Sequence, residues 1–129
     1  MKKSKLFGTL LTLTLLGSTT IYAGSTYSSY NTTVGKLNGN GYTGFQTKSV
    51  SGANGNLKSV SVGGKYVVDA RMQERNGTVG AWVRNISDDT NYGLPGNSSH
   101  LKGDSVRVQF SNDWNTPVNV QVTGSWRSN

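Results

Sequence analysis

The chain contains no cysteine. That one absence removes a disulfide scaffold, a thiolate metal site, an iron–sulfur cluster and a thiol nucleophile. Histidine is nearly missing too: His100 is alone, so a two-histidine metal site is impossible and a serine–histidine–aspartate relay would have to run through it. Acids are few, six in 129 residues. A glycosidase needs two carboxyls facing each other across a cleft. Here Asp69 is expected to pair with Arg84, Glu74 falls near a hairpin end and Asp113 at a turn. There is no Gly-X-Ser-X-Gly elbow. The glycine-rich stretch 35–44 lacks the Lys-Ser or Lys-Thr ending of a phosphate loop, and Asp88-Asp89-Thr90-Asn91 lacks the spaced ligands of a calcium loop. Ser98-Ser99-His100 reads as a polar loop. The expectation is a non-enzymatic protein with no cofactor and no metal.

Long apolar runs are absent with one exception. Leu6 to Gly17 is apolar but contains Thr9, Thr12 and Thr14, and it falls short of the roughly 20 residues that span a bilayer. Lys2, Lys3 and Lys5 precede it, and Ser18 to Ser25 turns small and polar around Ala23. This is the three-part layout of a secretory signal, expected over 1–23 with cleavage after Ala23 or after Ser25. Three of the thirteen Lys and Arg lie in that leader, so the formal charge of +7 falls to ten cations against six acids, or +4, in the remainder. A short Lys-rich leader on a cysteine-free chain suits export from a Gram-positive bacterium.

What the remainder does contain is glycine, serine, asparagine, valine and aromatics, the composition of strands and turns. No segment has a 3.6-residue apolar period of useful length. Residues 24–41 show no apolar period at all and read as a flexible N-terminal arm. Residues 42–129 are expected to form an all-β domain, a small antiparallel β-sandwich of about five to seven strands. Strand-like stretches run over Tyr42–Val50 and Leu57–Val62. Asn76-Gly77 then joins two β-rich runs, Lys65–Arg75 and Thr78–Ile86, and predicts a two-residue type I′ hairpin. That turn sets Ala70 opposite Val83, Met72 opposite Ala81 and Glu74 opposite Val79 on a core face. Arg71 then lies opposite Trp82, Asp69 opposite Arg84, and Val67 opposite Ile86 on the solvent face. A second hairpin is expected between Ser105–Ser111 and Pro117–Trp126, with Phe110 facing Val118, Val108 facing Val120 and Val106 facing Val122, and with Trp114 at its tip. Between the hairpins, residues 87–103 contain either a short strand at Ser98–Lys102 or a functional loop.

Basic residues interleaved with aromatics suit an anionic partner. The candidate binding residues are Arg71, Trp82 and Arg84 on one sheet face, with Arg75 beside them, and Trp114 as a separate aromatic contact. For an exported protein the partners at hand are an anionic wall polymer or membrane lipid, with a protein partner left open and no nucleic acid expected. Val120-Gln121-Val122-Thr123-Gly124-Ser125-Trp126, Lys102-Gly103-Asp104 before an alternating strand, and the Tyr66–Arg84 hairpin together resemble small secreted all-β proteins of Gram-positive bacteria that have no established function. More distantly, the chain resembles lactococcin-type bacteriocins, cysteine-free β-sandwiches, although it lacks their histidine-rich N-terminal half. The resemblances imply a secreted β-sandwich that binds a cell-envelope component, or alternatively a bacteriocin-like antibacterial protein.

Overall fold

A computed structural model describes residues 22–129. The expected signal peptide lies outside the described residues but for Tyr22 and Ala23. Among those described there are ten strands and no helix. They are β1 (Tyr22–Ala23), β2 (Ser28–Val34), β3 (Asn40–Tyr42), β4 (Gln46–Thr47), β5 (Gly55–Val62), β6 (Val68–Glu74), β7 (Val83–Ile86), β8 (Thr90–Leu94), β9 (Ser105–Asn112) and β10 (Val120–Arg127). One sheet runs β1-β4-β9-β6-β7, with β3 also paired to β9; the other runs β2-β10-β5-β8. Pairing is antiparallel except between the two-residue strands β1 and β4. The count exceeds five to seven because two- and three-residue strands carry no readable alternation.

The inward residues of both sheets form one core. Val68, Ala70 and Met72 of β6 and Val106, Val108 and Phe110 of β9 meet Val34, Leu57, Val122 and Trp126 of the other sheet. Tyr30 of β2 and Phe110 of β9 touch across the gap, with ring centroids 5.1 Å apart. Two antiparallel sheets sharing a core in this way form the β-sandwich arrangement.

Four expectations need correction. Residues 24–41 are not a free arm: β2 pairs with β10 over seven residues and buries Tyr30 and Val34. As an edge strand with a wet outer face it needs only two apolar side chains, which is why no period shows. The second hairpin does not form. β9 and β10 lie in different sheets, so Val106, Val108 and Phe110 face Val120 and Val122 across the core and not along a ladder, and Val118 is exposed. Alternation identifies a buried face; it does not say whether the partner lies beside it or opposite.

The third correction concerns the Asn76-Gly77 turn. The hairpin is present, but Glu74 N–H donates to Thr78 O (2.8 Å) and Gly77 N–H donates to Glu74 O (2.8 Å). The loop is therefore residues 75–77, and of its residues Gly77 alone has positive φ, at 96°. This is the three-residue turn with a glycine bulge, not type I′. Gln73, and not Glu74, then bridges to Val79. A later shift restores Ala70 opposite Val83 as expected. A further one sets Val68 opposite Ile86, which moves Ile86 from the predicted solvent face into the core. Last, Ser98–Lys102 is a turn and not a strand; the strand of that region is β8, paired with β5.

Polar side chains also tie the sheets together. Gln46 on β4 is fully buried, and its Nε2 donates to Trp126 O (2.8 Å) and Ser28 Oγ (2.9 Å) while its Oε1 accepts from Ser128 N–H (2.8 Å). Lys48, just beyond β4, is equally buried, its Nζ donating to Ala53 O (2.5 Å) and Ser128 O (2.6 Å), and burial holds its pKa below the usual lysine value.

Two stability predictions follow from these contacts. Gln46→Met keeps the volume but leaves a buried carbonyl and a buried amide unpaired, so urea unfolding should show a loss of about 2 to 4 kcal/mol. Gly77→Val forces a β-branched residue to positive φ in open space and should cost about 1 to 3 kcal/mol in a thermal or urea melt.

Candidate functional site: an arginine–aromatic sheet face

Strand period two sends odd-numbered residues of β6 and β9 to the outer face, because their even-numbered neighbours Ala70, Met72, Val106 and Val108 fill the core. The ladder pairs Arg71 with Gln109 and Gln73 with Arg107. Basic and amide side chains thus alternate diagonally across the two strands. Each guanidinium is tethered by its inner nitrogen: Arg71 Nε donates to Gln109 Oε1 (2.8 Å) and Arg107 Nε to Gln73 Oε1 (3.0 Å).

Each guanidinium also lies over a ring. Arg71 Cζ is 4.2 Å from the centroid of Trp82, and Arg84 approaches the same indole at 5.5 Å. One row further, Arg107 lies 3.9 Å from the Tyr42 ring and 5.0 Å from Phe45, while Arg75 lies 4.1 Å from Phe45. A cation over an aromatic face gains about 0.5 to 1 kcal/mol when exposed. More important for binding, it holds a long flexible side chain in one place on the sheet.

Four guanidinium groups share this face with one carboxylate. Asp69 Oδ2 accepts from Arg84 Nη1 at 2.6 Å and Asp69 Oδ1 from Asn85 N–H at 3.1 Å. The pair is asymmetric: the Asp69 side chain is 9% exposed and that of Arg84 63%. Among the described residues no carboxylate makes a salt bridge to Arg71, Arg75 or Arg107.

The structure brings Arg71, Trp82 and Arg84 together as the hairpin register implied, and sets Arg75 in the same surface. It does not bring Trp114 there. That residue is 77% exposed in the loop after β9, whose backbone is pinned to residues 37 and 38 by Leu37 N–H to Thr116 O (2.8 Å) and Asn38 N–H to Asp113 O (3.0 Å). Arg107, Tyr42 and Phe45 were missed. Arg107 was legible in principle, because Val106-Arg107-Val108 alternates, but pairing β9 with the wrong strand placed that face away from Arg71. Tyr42 and Phe45 reach the site only through β3 and the loop before β4, which no local pattern announces.

His100 sits elsewhere, fully buried, with Nε2 3.0 Å from Thr78 O and with Nδ1 lacking a hydrogen-bond partner among the described residues. Nearby Glu74 has its pKa raised, first by loss of water and then by the charge and hydrogen bonding of Asp104, against a smaller opposite effect of His100. No group of three or more His, Cys, Asp or Glu suited to a metal occurs among the described residues. No protein-family model matches the chain, and no curated protein matches it.

The ion-pair asymmetry gives a prediction. Arg84→Ala strips the cation from a nearly buried carboxylate and should cost on the order of 1 to 2 kcal/mol in urea unfolding. Arg107→Ala, which leaves no carboxylate behind and gives up only its ring contacts and its hydrogen bond to Gln73, should cost less, about 0.5 to 1 kcal/mol.

Proposed function

We propose that the chain is an exported, non-enzymatic binding protein whose arginine–aromatic face takes a phosphate-bearing component of the cell envelope, either an anionic wall polymer or membrane lipid. The observation that carries this reading is the set of four guanidinium groups, three of them without a carboxylate salt bridge among the described residues, each laid over a ring on one sheet face. A guanidinium offers paired N–H groups in a plane, which matches the oxygens of phosphate better than an ammonium does. The rings favour charge over sugar or base stacking as the main contact, since Trp82, Tyr42 and Phe45 are each already engaged by a guanidinium. Export rests on the Lys2 to Ser25 layout.

Binding of this kind is electrostatic at a wet surface, where screening acts over about 8 to 10 Å at physiological ionic strength. Retention of the protein on purified cell walls or on phosphatidylglycerol vesicles should therefore fall steeply as salt is raised. Arg71→Ala and Arg107→Ala should each weaken it by roughly tenfold, the equivalent of one charge-assisted hydrogen bond, with no more than the small loss of stability that their ring contacts carry. Trp114→Ala should leave retention unchanged. Binding that ignores salt, or that survives loss of both arginines, would refute the reading; preference for a polynucleotide over either envelope anion at equal charge would replace it.

A further inference from the structure

The opposite side of the sandwich carries a second convergence of cations. On the outer face of the four-stranded sheet, Lys58 Nζ lies 4.1 Å and Arg127 Cζ 4.9 Å from the centroid of one ring, that of Tyr27. Lys58 on β5 and Arg127 on β10 both point outward, since Leu57 and Trp126 beside them fill the core. Two like charges drawn to one ring repel each other, and among the described residues neither makes a salt bridge to a carboxylate. Arg127 is held in place by Nε donating to Asn56 Oδ1 at 3.1 Å. Tyr27, Asn56 and Lys58 line a cleft of about 210 Å³ together with Asn91, Tyr92 and Gly93, and Arg127 adjoins it through the Tyr27 ring and Asn56 Oδ1. Asn91 stands directly across the ladder from Lys58, so its amide borders the same opening.

From this geometry we infer that the Tyr27–Lys58 cleft, with Arg127 beside it at the Tyr27 ring, is a second phosphate site, and that the protein bridges two anionic ligands, one on each face of the sandwich. Two cations over a ring with an amide beside them supply the charge and the hydrogen-bond donors that a phosphodiester needs. The cleft is a local opening, whereas the guanidinium groups of the other face are spread over β6, β9 and their neighbours and can meet several phosphates along a chain or a bilayer. The two sites belong to different sheets and look in opposite directions, so one small rigid ligand cannot occupy both. A ligand carried on a polymer or a membrane is instead cross-linked to another. The site itself stands on its own geometry; the bridging rests on the binding proposed for the arginine face.

Three measurements separate these claims. Inorganic phosphate titrated into the protein should shift the backbone amide resonances around Lys58, Asn91 and Arg127, and should do so no longer in Lys58→Ala/Arg127→Ala. Phosphatidylglycerol vesicles and, separately, a soluble poly(glycerol phosphate) should be clustered by the parent protein, as read by light scattering; response to the vesicles alone assigns the phosphate to lipid, response to the polymer alone to the wall. Lys58→Ala/Arg127→Ala should still co-sediment with vesicles yet lose clustering by about tenfold or more, as loss of one of two linked sites requires. Arg71→Ala/Arg107→Ala should lose clustering as well while keeping the phosphate-induced shifts at the cleft. Clustering by the Lys58→Ala/Arg127→Ala protein equal to the parent's overturns the bridging, and the absence of phosphate shifts at the cleft overturns the site. If the shifts appear but the arginine variants bind as the parent does, the reading of the other face fails and the cleft stands. A cooperative melt with its midpoint well above the temperature of measurement shows that each variant is folded, and the small loss from its missing ring contacts does not affect these comparisons.

Discussion

One buried amide holds the architecture in register. Gln46 belongs to the six-stranded sheet, yet every hydrogen bond of its side chain goes to the other one or to the chain just before or after its strands: Trp126 O, Ser128 N–H, Ser28 Oγ and, at 3.3 Å, Thr26 O. Apolar packing between two sheets is tolerant of sliding, because dispersion and water exclusion have little direction. An amide with donor and acceptor both satisfied at full burial has direction, and a slip of one residue would leave several polar groups without water. Lys48 repeats the device two residues on, with its ammonium between two carbonyls. The position of Gln46 also links the two candidate surfaces. Its neighbour Phe45 carries Arg75 and Arg107 on one face, while the backbone it grips at Thr26 and Trp126 sets Tyr27 and Arg127 on the other.

Cation–aromatic contact is the recurring local solution on both outer faces. Antiparallel sheets with one wet side usually display loosely ordered charged side chains there, and ordering an arginine costs rotamer entropy. Laying each guanidinium on a ring, and tethering the Nε of Arg71, Arg107 and Arg127 to an amide, meets that cost during folding, before any ligand arrives. Binding then needs less reorganisation, the sense in which a surface is preorganised. The arrangement also explains why acids are scarce on these faces. Asp69 is kept because it serves a second purpose, receiving the N–H of Asn85 where that residue takes a φ of 60° beside the irregular β6–β7 pairing.

Much of this was legible from local pattern, and the limits have physical causes. The period of two in Val68-Asp69-Ala70-Arg71-Met72 placed Asp69 and Arg71 outward and the apolar residues inward, and a turn at Gly77 placed Trp82 and Arg84 beside them. That reasoning survived a wrong turn type because a later bulge returned the register at Ala70 and Val83. It failed at Ile86, one shift further on. The partner of β9 was not legible: Val106, Val108 and Phe110 complement β10 equally well beside it or across the core, and the difference lies in long-range closure of the chain. β2 went unseen because an edge strand with a solvated face can be built from Ser, Asn and Thr. Gln46 carries no local signal at all, being a polar residue whose partners are far away in sequence.

The three tryptophans have come to rest in three different surroundings. Trp126 is 1% exposed in the core, Trp82 is half-buried beside two guanidinium groups, and Trp114 is 77% exposed on a loop. Indole emission depends on the polarity and mobility of what surrounds the ring, so the native protein carries its own set of optical reporters. The blue-shifted component belongs to Trp126 and tracks cohesion of the two sheets. The component least reached by a soluble quencher after Trp126 belongs to Trp82, and it registers whatever displaces or covers Arg71 and Arg84. Trp114 serves as the internal solvent reference, so occupancy of one face and integrity of the fold are separable in a single unlabelled sample.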